Sequence, residues 1–465
     1  MNDCTFIILG MSGDLARRKL IPAIYELVKN GQLKKFAIVG AAHDQHTLAD
    51  IFSSARNYIE NIDESIWQQC CLQGEYIALD FGDTAKFSVL ARLVDDVQAR
   101  YQLSSNRLVY LATAAHFFAS LTENLAHAGI IKKGLDGNNG GVWHRVVYEK
   151  PFGLNLASAC DINRSIEKYL DESQIYRVDH YLAKELVSNI TLVRFTNRIF
   201  EPLWNHENID SIQIILTETL GVENRGSYYD KFGALQDVVQ NHAMQLLALV
   251  AMEAPNYLSG DYIRDEKAAV LKKVEYVNGV LGQYAGYKKE QGVASDSQTE
   301  TFAALHLRVN NQRWKGVPFY VKVGKCLNVK KTKIVICFKH IECLLLQGCP
   351  TEPNYLTIEV APDEGFSIEL NAKKPGALLD ITPVTMAFKH RHFFGATPVA
   401  YEVILEEVIK GEQSISVRAD EIEDAWNVID QVERAGLKRY SYVCGSGGPK
   451  ELELFQEQNS MRFRV

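Results

Sequence analysis

The opening of the chain limits the fold more than any other stretch. Thr5-Phe6-Ile7-Ile8-Leu9 is an unbroken apolar run. It is followed at once by Gly10-Met11-Ser12-Gly13-Asp14-Leu15-Ala16 and by a helical pattern with apolar Leu20, Ile21, Ile24, Leu27 and Val28. A short run without polar alternation suits a strand covered on both faces, as in a parallel sheet. Pro22 lies inside the helical pattern and predicts a kinked or shortened helix. Runs at 36–40, 108–111 and 146–148 repeat the strand signature, with helical patterns between them. Alternation of this kind predicts a doubly wound α/β domain, Rossmann-like, over residues 1–180.

After about residue 180 the pattern changes. Helical stretches come first, then closely spaced strand runs at 211–216, 302–309, 318–323, 333–338, 355–360 and 366–370. Short connections favour antiparallel pairing. Residues 181–465 therefore read as a larger α+β domain on a mainly antiparallel sheet, closed by helices at 399–409 and 419–435. A chain of 465 residues also exceeds what one ordinary core accommodates.

The formal net charge of −7 argues against a nucleic-acid partner, so an anionic substrate needs a local basic cluster. No apolar stretch reaches the ~18–20 residues of a membrane span, and the N-terminus lacks the features of a signal peptide. The nine cysteines include no C-x-x-C pair, which predicts reduced, mostly buried thiols in a cytoplasmic protein and no metal.

The turn Gly10–Leu15 stands between the first strand and the first helix. Glycines there admit close backbone approach, and a helix N-terminus offers N–H groups to a pyrophosphate. The spacing is G-x-x-G and not G-x-G-x-x-G, so by itself it reads equally as a tight turn. With Leu20, Pro22 and Ala23 beyond it, the segment resembles the opening of the glucose-6-phosphate dehydrogenase family. Further matches follow in the family's order: Glu149-Lys150-Pro151-Phe152-Gly153, the segment from Arg177 to Glu185, and Gln240-Asn241-His242. Matches at 317–327, 371–376 and 442–449 carry the resemblance across nearly the whole chain.

The resemblance implies a set of roles. Gly10, Ser12, Gly13, Asp14, Leu15 and His43 would contact a nicotinamide cofactor, NADP by default, and Lys150 would bridge cofactor and substrate beside a cis proline. His180, Tyr181 and Lys184 would hold the phosphate of glucose 6-phosphate; if the segment is helical, the four-residue spacing puts His180 and Lys184 on one face. Glu218 and Asp237 would accept from sugar hydroxyls, with Lys325 and Lys330 adding positive charge. His242 would be the base that takes the anomeric proton, oriented by Asp179. Read alone, His242 shares an apolar stripe with Leu235, Val239, Leu246 and Val250 and reads more readily as a core histidine. Its near-neutral side chain is what hydride removal from a carbinol demands. The family also implies a homodimer or dimer of dimers through the antiparallel sheet, with the substrate between the domains.

Several positions depart from the family. Gly40-Ala41-Ala42-His43-Asp44 stands where relatives offer an Arg to the NADP ribose phosphate. Asp44 would repel that phosphate and could accept from the ribose hydroxyls of NAD, unless Arg17 and Arg18 compensate. Ala112-Thr113-Ala114-Ala115 lacks the prolines of relatives, and Gln236 and Ala361 replace residues near the sugar. Glu359 and Val335 replace arginines of a second, structural NADP site, which is expected to be missing. A dehydrogenase of a related sugar phosphate and a non-catalytic cofactor-binding paralogue stay open as alternatives.

Overall fold

The structure, a computed structural model, describes residues 3–137, 140–340, 351–376, 381–395 and 398–465, with backbone alone at 185, 186 and 188. Its contacts divide the chain into two compact units. One comprises Met1–Ala183, Tyr257–Arg264 and Pro398–Ala419; the other comprises Lys184–Asn256, Asp265–Thr397 and Asp420–Val465.

The first unit is built on strands β1 (Cys4–Leu9), β2 (Phe36–Ala42), β3 (Gly74–Ala78), β4 (Arg107–Leu111), β5 (His144–Tyr148) and β6 (Ile175–Arg177). They pair in the order β3-β2-β1-β4-β5-β6, every pair parallel. Each residue of β1, β2, β4 and β5 is buried, which is why these strands read as continuous apolar runs. The order reverses between β1 and β4. The carboxyl ends of those two strands therefore diverge and leave a crevice, the place where open α/β sheets bind ligands.

Pro22 does not kink the first helix. The α-helical part begins at Ile21, so Pro22 falls in its first turn, where the missing N–H has no intrahelical acceptor to lose. The preceding turn, Ala16–Leu20, is wound as a π-helix. A late segment completes this core: Ile404, Leu405, Val408 and Ile409 of helix Ala400–Lys410 pack with Ile21 and Ile24. Arg145 on β5 fixes that helix by donating to the carbonyls of Val408 (2.7 Å) and Ile409 (2.8 Å), groups a helix C-terminus leaves unpaired.

The second unit carries β7 (Ile209–Thr217), β8 (Val274–Tyr284), β9 (Phe302–Val309), β10 (Pro318–Gly324), β11 (Lys331–Phe338), β12 (Tyr355–Ala361), β13 (Gly365–Lys373), β14 (Ile381–Lys389) and β15 (Arg439–Tyr442). The sheet order is β14-β13-β12-β11-β7-β10-β9-β8-β15. Only β7 with β10 and β8 with β15 run parallel, so the sheet is mixed and mostly antiparallel. Pro383 on β14 is tolerated because β14 is an edge strand that needs partners on one side only. The helix Met244–Ala251 is buried on every side, so what reads in sequence as an apolar stripe is a helix enclosed all round.

The cysteine expectation needs correcting. Cys326 and Cys444 form a disulfide across 118 residues of sequence, while Cys4, Cys70, Cys71, Cys160 and Cys337 keep their thiols. Cys343 and Cys349 lie outside the described residues. Spacing gave no hint, because the partners meet only through tertiary structure. Closing a loop this long limits the unfolded chain, and the bond is expected to contribute about 2–4 kcal/mol under oxidising conditions. Denaturant melts with and without a dithiol should differ by that amount for the native chain, and Cys326→Ser should abolish the difference.

Candidate active site

In the first unit the turn after β1 is held to its neighbours by backbone bonds. Gly10 and Met11 donate to the carbonyl of Ala41 (2.8 and 3.3 Å), and Gly13 donates back to Gly10 (3.0 Å). Gly10 has φ +87°, and a Cβ there would lie 2.4 Å from the carbonyl oxygen of Ala112 just past β4. Only glycine fits, and it fits at the point where the strand order reverses. The helix beginning beyond Gly13 points its N-terminus into that crevice, with Ser12, Asp14 and Leu15 at its mouth. This donor set suits a dinucleotide pyrophosphate.

His43 and Asp44 follow β2 on the same side. Ser12 Oγ donates to Asp44 Oδ2 (3.2 Å), and Tyr76 donates to the Asp44 carbonyl (2.7 Å). The His43 imidazole is 3.9 Å from Asp44. Arg17 and Arg18 both turn to Asp14, at 2.9 and 3.9 Å.

Lys150 follows β5, and the Lys150–Pro151 peptide is cis. Beside it Glu149 accepts from Tyr110 (2.6 Å) and Tyr401 (3.2 Å); burial raises its carboxyl above the usual range, and the two phenols act against that. Sequence reasoning missed this trio because its members come from distant parts of the chain. Asp179, 3% exposed, follows β6 and accepts from the Tyr181 N–H (2.9 Å). Two residues earlier, at the end of β6, Arg177 is buried, pairs with Glu172 (2.6 Å) and donates its own N–H to Ser416. His180 and Tyr181 lie in the turn that follows, with their rings 5.1 Å apart. That segment is not helical. Lys184 is the extended N-cap of helix Glu185–Thr196, so His180 and Lys184 do not share a helical face.

In the second unit Glu218 and Lys325 leave the ends of the parallel neighbours β7 and β10 and form an ion pair. The Lys325 ammonium also lies 5.2 Å from the centre of the Tyr229 ring, and its carbonyl accepts from Tyr442 (2.7 Å). Lys330 is exposed in the loop before β11. Its neighbour Lys331 pairs with Glu359 (3.2 Å), which Lys389 meets from the other side (2.6 Å).

Asp237 and His242 share one element, the π-helical segment Leu235–Ala243, and both are buried. Asp237 accepts from the Tyr228 hydroxyl (3.4 Å). The π winding bonds each residue to one five positions on and is frequent at functional sites. Asp237 and His242 are five apart, so this winding stacks them on one side.

Profiles of known families now decide the relationship. The glucose-6-phosphate dehydrogenase NAD binding domain matches residues 7–189, and the C-terminal domain of the same family matches 191–464. The chain belongs to the glucose-6-phosphate dehydrogenase family. It is therefore placed among NAD(P)-dependent oxidoreductases that act on CH–OH donors. Its relatives include glucose-6-phosphate 1-dehydrogenase of Bacillus subtilis, 39% identical over 96% of this chain and 95% of the relative. Another is the cytoplasmic glucose-6-phosphate 1-dehydrogenase 6 of Arabidopsis thaliana, 37% identical over 98% and 91%. A solved structure of a glucose-6-phosphate dehydrogenase in complex with its substrate glucose-6-phosphate superimposes with a TM-score of 0.90 at 28% identity, covering 100% of this chain and 99% of that one. The family's Rossmann-like and mostly antiparallel domains are the two sheets described above.

Proposed function

We propose that this chain oxidises glucose 6-phosphate at its anomeric carbon, giving the lactone. The observation that carries this reading is family membership over nearly the full length together with an intact set of reacting side chains: Lys150, Asp179, His180 and His242. The turn Gly10–Leu15, with His43, would hold a nicotinamide dinucleotide, NADP or NAD, which would supply the acceptor for the C1 hydride. His242 takes the hydroxyl proton as the C1–O bond becomes a carbonyl, and Asp179 is the carboxylate the family pairs with that base. His180, Tyr181 and Lys184 hold the phosphate and Lys150 bridges substrate and cofactor, while Glu218, Asp237, Lys325 and Lys330 address the sugar's hydroxyls and charge. Residues 1–180 form the dinucleotide half and 181–465 the substrate half. Glucose 6-phosphate carrying deuterium at C1 tests the reaction: deuterium must appear on the reduced nicotinamide, and its retention in the sugar would refute the reading.

The second strand's end points to use of NAD as well as NADP. Asp44 puts a carboxylate beside Ser12, at the strand end where the family offers an Arg to the ribose phosphate, and both nearby arginines pair with Asp14. Asp44→Arg is expected to raise the ratio of kcat/KM for NADP over NAD by about tenfold or more, roughly 1.4 kcal/mol. Steady-state kinetics with each cofactor checks it, and an unchanged ratio would remove Asp44 from the selection.

The reading extends to a homodimer or dimer of dimers through the outer strands of the large sheet, where Val384 and Met386 on β14 are exposed. A cytoplasmic site of action is supported by the Arabidopsis relative named above. No helix among the described residues is long and apolar enough to cross a membrane.

A further inference from the structure

We propose that Glu300 is a positioning residue for this reaction, fixing the start of the π-helical segment that presents Asp237 and His242. The inference rests on the assignment of His242 as the base. Helix Gly226–Ala234 breaks at Gly233 (φ +64°, ψ −175°), and the chain restarts as Leu235–Ala243. A helix start leaves N–H groups without intrahelical acceptors, and no side chain within the segment caps this one.

Glu300 supplies two of the missing acceptors from outside. It precedes β9 and is anchored there, since the next residue, Thr301, donates to Gly282 on β8 (2.7 Å). Its carbonyl accepts from Ala234 (2.9 Å) and its Oε1 from Leu235 (3.0 Å). A carboxylate at a helix N-terminus gains from the helix dipole as well as from the hydrogen bond. Gly233 makes room for it, because a Cβ at that position would lie 2.4 Å from Oε1. The other oxygen lies 4.0 Å from the Arg439 guanidinium.

Winding is what makes this contact matter to chemistry. In an α-helix a step of five residues turns about 500°, leaving the second side chain roughly 140° round the axis from the first. The i→i+5 winding keeps Asp237 and His242 together, and Glu300 holds the first N–H groups of that register. The hold depends on charge. Burial raises the Glu300 carboxyl to about 7; Arg439 lowers it and Glu433 raises it. The buried phenols of Tyr229 and Tyr287 also face it. Below that pH the protonated acid is a weaker acceptor for the Leu235 N–H.

The test compares the native enzyme with Glu300→Gln and Glu300→Leu. Measured are kcat, KM for glucose 6-phosphate, the Kd of the reduced cofactor by fluorescence, and hydrogen exchange over residues 235–243. Glu300→Leu is expected to lower kcat by about tenfold or more, with the cofactor Kd within about twofold and exchange faster in 235–243 alone. Glu300→Gln, whose amide oxygen still accepts from Leu235, should keep kcat within about threefold at pH 8. Its kcat/KM should lack the step, up to about threefold, that titration of the Glu300 carboxyl adds to the native profile near pH 7. Equal kcat in Glu300→Leu, parallel losses of kcat and cofactor affinity, or identical acid limbs in Glu300→Gln would overturn the proposal. If Glu300→Leu does not fold, the acid limb of Glu300→Gln decides. A native enzyme without turnover on glucose 6-phosphate refutes the assigned reaction instead, and exchange over 235–243 then decides the role of Glu300 unaided.

Discussion

His242→Asn is expected to lower kcat by about 10²- to 10⁴-fold, the range a positioned general base contributes, while KM for sugar phosphate and cofactor stays close to native. Hydride cannot leave a carbinol carbon unless the hydroxyl proton is taken, and asparagine has no group to take it. The substitution keeps a planar polar side chain of similar size. The segment that carries it is held by other contacts: Asn241 bonds to the Gln236 carbonyl (3.1 Å), and Gln236 to Glu433 (3.3 Å). Melting temperature should therefore change little, which separates lost chemistry from lost structure. A variant with kcat within about tenfold of native would mean that the proton goes elsewhere.

The largest expected effect on stability lies one turn beyond that base. Lys267 and Glu421 are both wholly buried, with Nζ 2.9 Å from Oε2. Gln245 completes the group, accepting from Lys267 (2.9 Å) and donating to Glu421 (3.1 Å). A buried pair adds little net stability, because desolvation offsets attraction, but removing one partner strands the other charge. Lys267→Met is therefore expected to destabilise the protein by about 3–5 kcal/mol. The double variant Lys267→Met with Glu421→Leu should recover most of that loss. Denaturant unfolding of the single and double variants measures both, and a double variant no better than the single one would mean that shape, not stranded charge, sets the cost.

What could be read from the sequence follows burial. The strands of the first unit that are enclosed on both faces are continuous apolar runs, and they are legible. β3 is half-buried throughout, β6 is three residues long, and β14 contains Pro383, so none of them stands out. β8 hides behind Asn278, Gly279 and Gly282 within its span. At the site, Gly10, Lys150, Asp179 and His242 were visible as motif residues. A shared face for His180 and Lys184 required a helix there; Asp179 instead caps a turn by accepting from Tyr181, and the helix starts only after Lys184. The π winding at 235–243 leaves no trace in a hydrophobic pattern, since almost every position there and beyond is buried. Glu149 with its tyrosines, Glu300 and the Cys326–Cys444 bond arise from residues far apart in sequence, which no local spacing reveals.

The most direct measurement is initial-rate reduction of NADP and of NAD, in separate reactions, by purified protein with glucose 6-phosphate. The expected result is turnover with both cofactors, one 6-phosphogluconolactone or its hydrolysed acid formed per nicotinamide reduced, and loss of that turnover in His242→Asn. Folded protein that reduces neither cofactor with glucose 6-phosphate would contradict the assignment.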